Sequence, residues 1–129
     1  MTGKNAQRTV VRLLKADLRP FDRYGQVEPG QHWLPLNYEA ESGSGNFLLR
    51  LDPGAQTRLH VHGDLEELLV LEGTLIENDG EAFGPGEFIS YAPGSTHFSR
   101  SETGCLFMVQ VRKFAKYVDE WTAKATKGN

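Results

Sequence analysis

Four side chains able to hold a cation stand out in the second half of the chain: His60, His62, Glu66 and His97. His60 and His62 are separated by one residue in a run with strand character, so on a strand both leave the same face. Glu66 follows a Gly63-Asp64 turn, and an antiparallel return of the chain sets it opposite the two imidazoles. His97 comes shortly after Gly94, at the start of another strand-like segment, where a closed barrel brings it across the same interior. Two or three neutral imidazoles and one carboxylate form a mixed nitrogen and oxygen donor set, suited to zinc, iron, manganese, nickel or copper. The pattern His-x-His-x3-Glu arises somewhere in a chain of this composition with a probability on the order of 1%, so coincidence is the poorer explanation. Turned inward with nothing to pair them, these groups would be costly to bury. Glu67 competes with Glu66 for the carboxylate position, and the strand face shared by Glu66, Leu68 and Val70 favours Glu66. His32 reads as an ordinary surface or hydrogen-bonded histidine.

The elements that must position these groups are short strands. Thr9–Leu14, His32–Tyr38, Phe47–Leu51, Ala55–His62, Glu67–Leu71, Thr74–Glu77, Glu87–Tyr91, His97–Ser101 and Leu106–Val111 are apolar or alternating runs. Turn sequences separate the later ones, among them Asp52-Pro53-Gly54, Asn78-Asp79-Gly80, Gly84-Pro85-Gly86 and Pro93-Gly94. Glu41–Asn46 is a loop by composition. Strands at this regular spacing indicate an all-β sandwich, jelly roll or closed barrel. After them Phe114, Tyr117, Val118, Trp121 and Ala125 recur at helical spacing, which predicts an amphipathic helix over Lys113–Lys127.

Composition narrows the classes. A chain of 129 residues fits one domain, and a net charge of -3 gives no electrostatic case for nucleic acid or an anionic membrane surface. No apolar run approaches spanning length and the N-terminus carries no secretory pattern, so a cytoplasmic protein is expected. Cys105 is the single cysteine, which excludes an intrachain disulfide, and its apolar run makes it a small buried hydrophobe.

The arrangement Gly54-x5-His60-x-His62-x3-Glu66-x6-Gly73 resembles the first motif of the cupin superfamily (RmlC-like proteins), and Gly86-x7-Gly94-x2-His97 resembles the second. Proline falls at Pro93, one place later than usual, and Ser101 stands where asparagine is common. GDLEELLVLEG followed by APGSTH is similar to the ChrR-like branch, which includes the cupin domain of zinc-binding anti-sigma factors and stand-alone relatives of diketone-cleaving dioxygenases. The resemblance implies one cupin domain over residues 1–129, a double-stranded β-helix (jelly-roll barrel) with its core at about 45–112 and the C-terminal helix at about 113–127. It also implies one divalent metal ion per chain (Zn, Fe, Mn or Ni), with ligands falling on His60, His62, Glu66 and His97. No sigma-binding segment with zinc-ligand cysteines precedes the motifs in this sequence, and Cys105 alone cannot supply one, so the anti-sigma role itself is not expected to transfer.

On a regular strand Gln56 and Arg58 point inward with the histidines, and Arg58 then either grips a carboxylate, Glu66 included, or reaches solvent at the barrel mouth. Leu68 and Val70 supply apolar wall, Tyr91 and Phe98 close the site, and Trp33 and Phe47 belong to the core. Two functions stay open. One is a metal-dependent dioxygenase acting on a small oxygen-rich compound such as a diketone or aromatic ketone, with Glu66 and Arg58 as catalytic candidates. The other is a non-catalytic, metal-dependent sensory or small-molecule-binding cupin related to the anti-sigma factor cupin domain. The expected partners are a small-molecule ligand and, because outward Leu69 and Leu71 need cover, a second copy in a homodimer.

Overall fold

The computed structural model describes residues 6–61 and 63–112; His62 and the helix expected over 113–127 lie outside the described residues. Eleven strands are present among the described residues: β1 (Arg19–Pro20), β2 (Gln31–Glu39), β3 (Ser44–Leu51), β4 (His60–Val61), β5 (Glu66–Gly73), β6 (Leu75–Glu77), β7 (Ala82–Phe83), β8 (Phe88–Tyr91), β9 (Thr96–His97), β10 (Ser99–Arg100) and β11 (Cys105–Val111). A six-stranded antiparallel sheet runs in the order β1-β2-β3-β11-β5-β8. A three-stranded sheet, β10-β6-β7, and a two-stranded one, β4-β9, close over its inner face. The result is a jelly-roll barrel.

Period-two alternation selects what faces the interior. On β5, Glu66, Leu68 and Val70 are buried while Glu67, Leu69 and Leu71 are half-buried. Register then aligns the inner layer across the sheet. Leu68 opposes Val109 and Ile89, and Val109 in turn opposes Phe47. Leu51, Val70 and Leu75 are fully buried in this core, each side chain contributing about 1.5–3 kcal/mol relative to exposure. At one end Phe21, Tyr38 and Phe47 meet Trp33 edge to face, with ring centroids 5.1–5.5 Å apart. Cys105, opposite Leu51, is buried as expected.

Gly73 shows why β5 must end where it does. Its φ is +76°, and a Cβ there would come within 2.1 Å of the Gly104 carbonyl oxygen and 2.8 Å of Cys105 Cα. Only glycine lets β5 turn this close to the start of β11.

Several expected boundaries are corrected. Thr9–Leu14 forms no strand; the chain makes one 3-10 turn at Leu13–Lys15, and β1 takes the edge of β2 beside His32 and Trp33 instead. β3 begins inside the expected loop, at Ser44. Only His60–Val61 of the segment Ala55–Val61 is regular strand. Two of its carbonyls are taken by side chains: Gln31 Nε2 donates to Gln56 O at 3.1 Å, and the His60 ring donates to Arg58 O at 2.7 Å. Gln56 is consequently exposed rather than inward. The short strand β7 carries a weak apolar signal and was not expected.

Candidate metal centre

Three elements converge at the site. β4 and β9 pair so that His60 and His97 are direct cross-strand partners, their ring centroids 4.6 Å apart. Glu66 opens β5 and is turned inward by the alternation that buries Leu68. Glu66 Oε1 lies 3.1 Å from His97 Nε2 and 3.9 Å from His60 Nε2. One donor atom from each of the three residues falls within 4.8 Å of the others. Donors that share an ion at about 2.0–2.2 Å sit roughly 3–3.5 Å apart, so the group fits a metal after small adjustments.

The tautomers favour the same use. Arg58 O can only accept, so His60 Nδ1–H donates to it and the lone pair stays on Nε2, toward Glu66. His97 Nδ1–H donates to Glu77 Oε1 at 2.7 Å, again directing Nε2 at Glu66. A bare lone pair 3.1 Å from a carboxylate oxygen is repulsive, so the metal-free contact requires a proton. Burial opposes a charge on His97, but the hydrogen bonds and charges of Glu66 and Glu77 outweigh it and push its pKa up to about 9. A divalent ion and this proton compete for one place.

Glu77, which the sequence reading passed over, is the principal support. It is buried on β6 below His97, and it accepts from Tyr91 Oη at 2.7 Å while the Tyr91 ring stacks on His97 with centroids 4.2 Å apart. The signal was the alternation Leu75-Ile76-Glu77, which turns the carboxylate inward with Leu75. Tyr91 thus packs against His97 rather than closing the cavity, whose lining includes neither it nor Phe98, and burial and Glu77 hold its hydroxyl protonated. Glu67 faces the other way, and Arg112 Nη2 lies 3.4 Å from its Oε1. Arg58 is not paired with Glu66; its Nη2 lies 2.7 Å from Oε2 of buried Glu28. His32 pairs with Asp52 at 3.1 Å, away from the site.

The site opens into a cavity of about 40 Å³ lined by apolar Phe21, Phe47, Leu49, Leu68 and Phe107, with Arg23, Glu28, Arg58 and Thr57 among its polar groups. That is room for about three waters or a few heavy atoms of ligand. The chemistry on offer is coordination of a metal at a partly dry wall, beside a mouth carrying guanidinium groups.

The profile of a family described as the ChrR Cupin-like domain matches residues 7–115. No curated protein matches the chain. Among solved structures, an acetylacetone dioxygenase from Acinetobacter johnsonii is 17% identical with a TM-score of 0.62, over 86% of this chain and 80% of that one. The polyketide cyclase RemF from Streptomyces resistomycificus is 21% identical with a TM-score of 0.61, over 90% and 93% of the two chains. A chain of the complex between SigE and the anti-sigma ChrR from Rhodobacter sphaeroides is 22% identical with a TM-score of 0.61, over 78% of this chain and 51% of that one. At these identities the likeness is one of fold. Among the described residues no helix is long and apolar enough to cross a membrane.

Proposed function

The chain belongs to the family of ChrR cupin-like domains, and from that premise we propose that it binds one divalent metal ion and uses the barrel cavity to bind a small oxygen-rich molecule at it. The observation that carries this reading is the convergence of His60 Nε2, His97 Nε2 and Glu66 Oε1, with the opposite nitrogen of each ring engaged elsewhere. His60, Glu66 and His97 would hold the ion, joined by His62 as the sequence motif implies. A bound divalent metal supplies Lewis acidity toward a ligand oxygen and, if it is iron, access to dioxygen chemistry. The protein's own part is to orient. Leu68 and Phe107 exclude water from one side, and Tyr91 and Glu77 hold the His97 ring in place.

The leading activity is that of a dioxygenase acting on a small diketone or aromatic ketone, supported by the likeness in fold to an acetylacetone dioxygenase. A non-catalytic sensory module is the second reading. It is favoured by the site itself: Glu66, His97, Glu77 and Tyr91 hydrogen-bond to one another rather than standing ready as a separate acid–base pair. Oxygen uptake by the ferrous-loaded protein with a panel of diketones and aromatic ketones separates the two. Substrate-dependent uptake supports the enzyme. Binding of panel compounds without uptake in any metal form supports the sensory module.

A further inference from the structure

Arg23, in the loop between β1 and β2, lines the same cavity as His60 and Glu66. Its setting is unusual for a half-buried cation. Nε donates to Tyr38 Oη at 2.8 Å, Nη1 to Tyr24 Oη at 3.0 Å and Nη2 to the Gly43 carbonyl at 3.0 Å. The rings of Tyr24, Tyr38 and Phe47 surround Cζ at 5.3–5.6 Å. These contacts use three of the five N–H donors, and all of the partners are uncharged. Arg58, Arg100 and Arg112 each have a carboxylate within 4 Å, whereas among the described residues none lies that close to Arg23. An arginine cannot shed its proton, and a desolvated charge without a counter-ion is costly. The aromatic walls and neutral acceptors fix the fork in place and leave two of its N–H donors unused, with Glu66 acting on its charge from across the cavity.

The charges of the lining give the sign of the missing partner. Arg23, Arg58 and the His97 ring, which donates to both Glu66 and Glu77, face the carboxylates of Glu28, Glu66 and Glu77, so the charges balance without a metal. A divalent ion at Glu66 leaves the cavity with an excess of positive charge, and an anion is what restores neutrality.

We propose that Arg23 anchors an anion subsite, and that the cavity takes a small monocarboxylate whose carboxylate meets the two unused Arg23 donors while its other end lies toward His60, Glu66 and His97. The orientation rests on the metal-binding reading above; the Arg23 contact does not. The planar fork suits a carboxylate, and the volume of about 40 Å³ restricts it to a short chain.

The test is titration of acetate, propionate and neutral acetamide into metal-loaded and metal-stripped protein, followed by the Arg23 side-chain nitrogen resonances, with metal content measured separately. The carboxylates are expected to shift those resonances and acetamide to leave them unmoved, with tighter binding in the loaded form. Arg23→Gln should weaken carboxylate binding about 10- to 100-fold, the worth of a charge-assisted contact, at unchanged metal content. Arg23→Lys, which keeps the charge and loses the fork, should fall between and serves if the glutamine variant does not fold. Equal binding of acetate and acetamide, no response of Arg23 in either form, or undiminished carboxylate binding by both variants overturns the subsite. A wild-type chain that takes up no metal yet binds acetate at Arg23 overturns the metal reading and keeps the subsite.

Discussion

Nδ1 of His97 lies 2.7 Å from Oε1 of Glu77, and both side chains are 2% exposed. The pair joins the three-stranded sheet to the two-stranded one, and the Tyr91 hydroxyl fixes it from the six-stranded sheet. A carboxylate behind a ligating histidine sets its tautomer and raises its basicity. Glu77→Gln is therefore expected to lower metal affinity about 10-fold, and Glu77→Ala up to about 100-fold, with Tyr91→Phe affecting it less than either. Competition against a chromophoric chelator measures this. Unchanged affinity in Glu77→Ala would mean that Glu77 supports the fold alone.

The same pair predicts how the metal-stripped protein responds to pH. The folded-state pKa of His97, about 9, lies above its unfolded value of 6.5. Its contribution to stability, on the order of 3 kcal/mol, is then fully present below about pH 6.5 and lost as pH rises toward 9. Urea melts of stripped protein at pH 6 and pH 9.5 should show this decline, and metal-loaded protein should show less of it because the ion replaces the proton. A stripped protein equally stable at both pH values would contradict the contact between His97 and the two carboxylates.

How much of this was legible in the sequence depends on what kind of regularity each part has. Both rows of β5 are apolar, so alternation groups Glu66 with Leu68 and Val70 while the Glu66-x6-Gly73 spacing is what favours that row, and Glu66 over Glu67, as the one facing the histidines. The turns at Gly73 and Gly94 announce themselves by residue type. The juxtaposition of His60 and His97 required the β4–β9 register, a pairing across 37 positions of chain that no local pattern encodes. Reading Ala55–His62 as one regular strand failed because Gln31 and His60 capture its carbonyls, and such captures depend on tertiary placement. Arg23 and Glu28 come from a turn-rich stretch whose composition says only that the chain bends there. Thr9–Leu14 has strand propensity but pairs with no described strand, and propensity without a paired neighbour does not make a strand.

Two glycines separate local conformation from close packing. Gly73→Ala sets a Cβ against the Gly104 carbonyl and should cost about 3 kcal/mol or more, or abolish soluble folding. Gly54 has a similar φ of +85° but open space around it, so Gly54→Ala should cost only about 1–2 kcal/mol. Denaturant midpoints compare them. Equal losses would mean that the close approach of β5 to Gly104 is not what restricts residue 73.

The claim on which the rest depends is that His60, Glu66 and His97 hold a metal, and its most direct test is elemental analysis of untagged protein offered zinc, ferrous iron, manganese and nickel in turn. About one divalent ion per chain is predicted for the wild type and for Glu67→Gln, with loss in His60→Ala and Glu66→Gln. A folded wild-type chain that retains none of the four metals, or Glu66→Gln protein that retains its ion while Glu67→Gln loses it, would contradict the account.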